Sequence, residues 1–346
     1  MPPHRVLLTG ANGFVASHIL SQLLSASHSV RAIIRSPAKA AAVKALFPTY
    51  SKHLDFAVVP DMTATGAFDD ALKSEPPFDV VMHTASPFLY KAVGDVNGFL
   101  DPAIKGTTEV LEGINRVAPS VKRVILTSSF AAIGAFGLKD ETGKVYTESD
   151  WNPVTLDLVK EKGDMGLAYR ASKTFAEKAA WEIARKEGRG WELVVLNPPM
   201  VYGPLQHKVE STDELNESTA RIWNLFLKEK SPDGELPPNG LPLYVDVRDL
   251  AQAHLLAMDA PGAGGNRFII SAGAVSSQQI SDVLRREVEG AEERVPRGVP
   301  GKEGLAEGQF IADSSRARSV LGVRFRGVEE TFRDLGVQLL GIERGM

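Results

Sequence analysis

Six short apolar runs, several without polar alternation and separated by longer amphipathic stretches, constrain the fold of this chain more than any other feature. The runs are residues 6–8, 30–34, 56–59, 80–83, 124–126 and 193–196. Strands that show no polar face are buried on both sides, as in a parallel sheet covered by helices. Each return of a parallel strand needs a crossover, usually helical. Helical patterns near residues 14–25, 37–46, 67–73, 102–117 and 168–187 supply those crossovers. The expected fold class is therefore α/β, a doubly wound parallel sheet with a smaller C-terminal region.

From Gly203 onward the composition changes. A polar stretch runs to Ser218, a helix ends near Lys230, and residues 231–242 are rich in turn formers. This divides the chain into a sheet domain over residues 1–202 and a smaller mixed region over 203–346. Segment 244–262 is expected to return to the sheet domain, as a short strand and a helix start with Asp249 as first-turn or capping carboxylate. Residues 295–308 read as an exposed loop, and the polar stretch 207–218 as either a lid or an inert connection.

Several functional classes can be set aside. The 346 residues contain no cysteine, so disulfides, thiolate metal sites and a cysteine nucleophile are excluded. A net charge of −4 with scattered lysines and arginines leaves no footprint for nucleic acid or an anionic membrane. No apolar run approaches the ~18 residues of a membrane span. The N-terminal residues are too few and too polar for a signal-peptide core, so a cytoplasmic protein is expected. The seven histidines never take His-Glu-x-x-His spacing, so no metal is expected, and no Gly-x-Ser-x-Gly elbow is present.

The first strand leads directly into Thr9-Gly10-Ala11-Asn12-Gly13-Phe14-Val15-Ala16 and then a helix. Gly10 permits a tight turn, Gly13 lets backbone approach a pyrophosphate, and Ala16 is small enough for close helix packing. A phosphate placed there meets free N–H groups at the helix N-terminus. At the end of the second strand, where an acidic residue would bind the ribose of NAD, the chain has Arg35, followed by Lys39. An arginine there accommodates the 2′-phosphate of NADP, and the lysine adds a point charge. Asp61 and Met62, after the third strand, are placed to flank an adenine.

Tyr169 and Lys173 lie four residues apart on a helical segment, so both project from one face. A phenol is a weak acid–base group at neutral pH, and an adjacent ammonium favours its ionised form. Thr127-Ser128-Ser129 ends the fifth strand, at the edge where open α/β sheets bind ligands. A hydroxyl there can hydrogen-bond a substrate oxygen that Tyr169 also contacts.

With these motifs, and with His83-Thr84-Ala85-Ser86-Pro87-Phe88, Asn197-Pro198-Pro199-Met200-Val201-Tyr202 and Tyr244-Val245-Asp246-Val247-Arg248-Asp249, the chain resembles the extended short-chain dehydrogenases/reductases over nearly its whole length. Within them it is similar to fungal NADPH-dependent methylglyoxal, aldehyde and ketone reductases, relatives of plant dihydroflavonol reductases. The resemblance implies a Rossmann domain, NADPH as cofactor and a small carbonyl compound as substrate, in a monomer or homodimer. It implies Ser129, Tyr169 and Lys173 as the catalytic set, with Lys173 also holding the nicotinamide ribose. Thr84, Ala85, Ser86, Thr127, Pro198 and Val201 would line the cofactor. Phe88, Ser129, Phe130 and Tyr202 would line the substrate pocket. Two further readings remain open: a nucleotide-sugar epimerase or dehydratase holding NAD, and an NADP-sensing regulator without turnover.

Overall fold

A computed structural model describes residues 3–85 and 97–345, without the side chains of 97–99. Seven parallel strands form the main sheet: β1 (Arg5–Thr9), β2 (Ser29–Ile34), β3 (Leu54–Val58), β4 (Val80–His83), β5 (Arg123–Thr127), β7 (Glu192–Asn197) and β10 (Asn266–Ile269). Their order is β3-β2-β1-β4-β5-β7-β10. Six of the seven match the apolar runs of the sequence. The seventh, β10, begins Asn266-Arg267 and has too short an apolar run to stand out.

One face of the sheet is covered by α1 (Phe14–Ser25), α2 (Pro37–Leu46) and α8 (Val247–Asp259), whose Ile19, Leu23, Val43, Leu250 and Ala257 pack on the strands. The opposite face carries α3 (Asp69–Leu72), α4 (Asn97–Val117) and α6 (Met165–Ala184), through residues such as Leu72, Val110, Ile114 and Trp181. α6 starts at Met165 rather than 168 because the Asp164 carboxylate caps it, accepting from the Leu167 amide at 2.6 Å.

β8 (Met200–Tyr202), β9 (Leu243–Asp246) and β11 (Gly273–Ala274) make a small second sheet. It packs with α7 (Glu217–Ile222), α9 (Ser277–Glu287) and α10 (Val328–Glu343) around Phe226, Leu284, Phe332 and Leu339. A two-stranded pair joins β6 (Val145–Tyr146) to β12 (Ile311–Ala312), and the short helix α5 (Leu156–Lys162) precedes α6. The cap of α8 is Asp246, which accepts from the Arg248 amide at 2.8 Å. Asp249 lies in the first turn and is buried against the Arg326 guanidinium.

The strand order reverses between β1 and β4, since β1 leads outward to β2 and β3 before the chain returns to β4. In open α/β sheets that crevice, at the carboxyl ends of the strands, is where ligands bind.

Candidate active site

At the reversal point β1 and β4 are laced together. The buried Thr9 hydroxyl oxygen accepts from the amides of Thr84 at 3.1 Å and Ala85 at 3.0 Å. Its proton is therefore directed to His83 Nδ1, 2.9 Å away. The Thr84 hydroxyl donates to the Thr9 carbonyl at 2.6 Å. Gly10 follows with a φ of +69°, and a Cβ on it would lie 3.1 Å from Ala85 Cα. Glycine is needed here both for the left-handed backbone and for this approach of two chain segments. A Cβ on Gly13 would meet the Gly10 carbonyl at 3.2 Å.

These residues open onto a cavity of about 250 Å³. Thr9, Gly10, Asn12 and Gly13 form its floor, and Thr84, Ala85, Met62, Arg35 and Lys39 line its sides. The guanidinium of Arg35 and the ammonium of Lys39 make no ion pair or hydrogen bond among the described residues, and both side chains are exposed. Basic groups at the start of α2 face the positive end of its dipole, which is unfavourable until an anion arrives. The cavity thus combines glycine backbone with two uncompensated cations, a lining suited to an anionic ligand. Ile33, Ile34, Val59 and Phe68 complete the wall. They went unremarked as site residues in the sequence, although Ile33, Ile34 and Val59 lie at the carboxyl ends of β2 and β3, on the edge where ligands bind.

Other residues expected at the cofactor make contacts of their own within the protein. Asp61 is exposed and accepts from the Thr63 amide at 2.8 Å and hydroxyl at 2.7 Å, closing a local turn that holds its carboxyl below the usual range. Phe14 presents its ring edge-on to His18 and His207. Val15 and Val201 pack on the core under α1. The Pro198 carbonyl accepts from the Phe130 amide at 2.8 Å. The Thr127 hydroxyl is bonded to His254 Nε2 at 2.6 Å, and His254 Nδ1 lies 2.8 Å from the Leu250 carbonyl. Burial pushes His254 down to about 4, so the neutral ring donates to Leu250 and accepts from Thr127. Ser86 and Phe88 lie outside the described residues.

The catalytic candidates come together where β5 meets α6. Ser129 follows β5 and caps a short turn, its hydroxyl oxygen accepting from the Ala131 amide at 3.1 Å. The same side chain acts on the Tyr169 hydroxyl and works against the effect of burial on it. Lys173 Nζ lies 5.9 Å from the centre of the Tyr169 ring. The sequence led to an expectation that Lys173 would favour the ionised phenol. In the structure burial dominates both groups. It raises the Tyr169 hydroxyl, offset in part by Ser129, and pulls the Lys173 ammonium down to about 8. At neutral pH this keeps a proton on the phenol and the charge on the lysine. A protonated phenol beside a serine hydroxyl suits donation to an oxygen on which charge develops.

Phe130 and Tyr202, expected in the substrate pocket, have their rings packed against other aromatic side chains. Phe130 is fully buried, with its ring 5.5 Å from Tyr146, 6.0 Å from Phe136 and 6.4 Å from Phe310. Tyr202 is buried against Phe332 at 5.1 Å. Both rings serve the core because the chain turns inward after β5 and along β8. No group of His, Asp or Glu among the described residues is arranged to hold a metal. No helix among them is long and apolar enough to cross a membrane.

Fold and site together define an extended short-chain dehydrogenase/reductase. Residues 6–273 match the NAD dependent epimerase/dehydratase family, and the chain belongs to it. It is 38% identical to the ketoreductase azaE of Aspergillus niger over 339 residues, 97% of each chain. It is 34% identical to the NADPH-dependent methylglyoxal reductase GRE2 of Saccharomyces cerevisiae, with 98% of each covered. The crystal structure of yeast methylglyoxal/isovaleraldehyde reductase Gre2 complexed with NADPH superposes with a TM-score of 0.89 at 32% identity. That match covers 99% of this chain and 100% of the other.

Proposed function

We propose that this protein is an NADPH-dependent carbonyl reductase acting on small aldehydes, α-dicarbonyls or ketones. The convergence of Ser129, Tyr169 and Lys173 where β5 meets α6 carries this reading. The nicotinamide, when bound, supplies the hydride. Gly10, Asn12 and Gly13 would hold the pyrophosphate, and Arg35 and Lys39 the 2′-phosphate. Ser129 orients the carbonyl oxygen by donating a hydrogen bond. Tyr169 delivers its proton to that oxygen as it becomes an alkoxide, whose basicity far exceeds that of a phenolate, so the transfer runs downhill. Lys173 sets a positive charge beside the phenol, which stabilises the phenolate left behind.

The relatives support the cofactor and the reaction class, and the unengaged Arg35 supports NADPH over NADH. The test follows NADPH oxidation with a panel running from methylglyoxal and diacetyl through aromatic ketones to dihydroflavonols, for the parent protein and Tyr169→Phe. The variant is expected to lose at least about 100-fold in kcat, in line with removal of a general acid, and to bind NADPH as before. Undiminished turnover by Tyr169→Phe would overturn the assignment.

A further inference from the structure

Two helical turns beyond Tyr169 on α6, Glu177 is 1% exposed. Both of its oxygens are fully engaged. Oε2 accepts from the Ser128 hydroxyl at 2.5 Å and from Asn197 Nδ2 at 2.7 Å. Oε1 accepts from Arg267 Nε at 2.5 Å and from Trp181 Nε1 at 3.3 Å. Arg267 is itself buried, donates to the carbonyls of Glu148 and Asp150, and lies 3.8 Å over the Trp151 ring.

A buried ion pair of this kind is a poor way to gain stability, because desolvation offsets most of the attraction and a well-packed apolar pair does as well. What it supplies is direction. The donors come from the carboxyl ends of β5 and β7 and from β10, three neighbouring strands, and they converge on the helix that carries Tyr169 and Lys173. Asn197 Nδ2 also donates to the Ser129 carbonyl at 3.2 Å. The amides on either side of Ser129 are bonded to the β7 segment, Ser128 to the Leu196 carbonyl and Phe130 to the Pro198 carbonyl, each at 2.8 Å. Ser129 is thereby held from three directions, and Glu177 is the group through which that hold reaches α6. The carboxylate also shares with Lys173, Ser128 and His83 the wall of a small internal cavity of about 20 Å³.

We infer that Glu177, paired with Arg267, is a positioning residue that fixes the Ser129 hydroxyl relative to Tyr169. The inference rests on the reductase reading. Glu177→Gln keeps the shape but turns an amide N–H₂ toward one of the donor pairs. It is expected to lower kcat about 10- to 100-fold, the range set by small misplacements, while the NADPH Kd changes less than about twofold. A purely structural role is separated by the double variant Glu177→Leu with Arg267→Met. This is expected to restore the melting temperature but not kcat, since no apolar side chain can hold Ser128 and Asn197. Amide hydrogen exchange at residues 128–132 adds a readout independent of activity, and it is expected to accelerate in Glu177→Gln beyond the change seen across the rest of the sheet.

Recovery of kcat together with stability in the double variant, or unchanged exchange at 128–132 in Glu177→Gln, overturns the inference. Should Glu177→Gln fail to fold, Ser128→Ala removes one donor without stranding a buried charge. The expected outcome there is a severalfold loss of kcat with NADPH binding retained, and full activity would overturn the proposal. A parent protein that reduces no carbonyl in the panel refutes the reductase reading instead, and hydrogen exchange still decides whether Glu177 orders Ser129.

Discussion

Replacing Arg35 tests the cofactor reading most directly, because the structure gives this side chain nothing else to do. It stands at the end of β2, exposed, on the wall of the cavity that Gly10 and Gly13 line, and has no partner among the described residues. Arg35→Ala therefore removes no internal contact, and a surface change of that kind alters stability by no more than about 0.5 kcal/mol. Its effect on binding is expected to be larger. Hydrogen bonds from a guanidinium to a charged phosphate contribute about 1.5–3 kcal/mol. At 1.4 kcal/mol per decade, the NADPH Kd should rise about 10- to 150-fold. NADH has no 2′-phosphate, so its Kd should move less than about threefold. Arg35→Asp should widen the gap further, since a carboxylate there repels the phosphate. Titration of intrinsic tryptophan fluorescence with each cofactor at low and high salt measures the effect, and the Arg35 contribution should shrink as ions screen it. Equal losses for NADPH and NADH would refute the reasoning, as would a fall in melting temperature large enough to show that Arg35 has a structural partner.

Gly10→Ala combines left-handed strain of about 1–2 kcal/mol with overpacking of about 1–3 kcal/mol against the Ala85 backbone. Thermal unfolding should fall well below that of Gly137→Ala, where φ is +80° but a Cβ meets nothing within 4 Å; equal shifts would show that the Ala85 contact is harmless. Lys173, held down to about 8 by burial, should give an alkaline limb in kcat/KM for NADPH, with activity lost as pH rises through that value. The same depressed lysine makes the unfolded chain bind more protons between about 8 and 10.4, so its contribution to stability rises with pH across that window. Lys173→Met should abolish the limb; a limb that persists in the variant belongs to another group.

The glycine turn after β1, the cationic end of β2 and the shared helix of Tyr169 and Lys173 were all legible in the sequence because each is local. A glycine between strand and helix, a basic residue at a strand end and two side chains one helical turn apart are fixed by steric rules that span a few residues. Unalternated apolar runs likewise specify strands covered on both faces, and with them the doubly wound sheet. The hydroxyl of Ser129 could be placed at a strand end, but not its approach to Tyr169 on another element.

The pairings that no local rule reaches belonged to the tertiary structure. Phe130 follows Ser129 directly, yet it is buried against Phe310 from the far end of the chain. The need for glycine at position 10 lies partly in Ala85, and the burial that shifts Tyr169 and Lys173 comes from elements that pack around α6. Glu177 looks in sequence like one more polar helix residue, and Arg267 like the start of a weak strand. Their partnership exists only because β10 docks beside β7 and brings the guanidinium under α6. Sequence periodicity sets which faces are buried, whereas which buried groups meet depends on the order in which strands pack, a long-range choice made by the whole core.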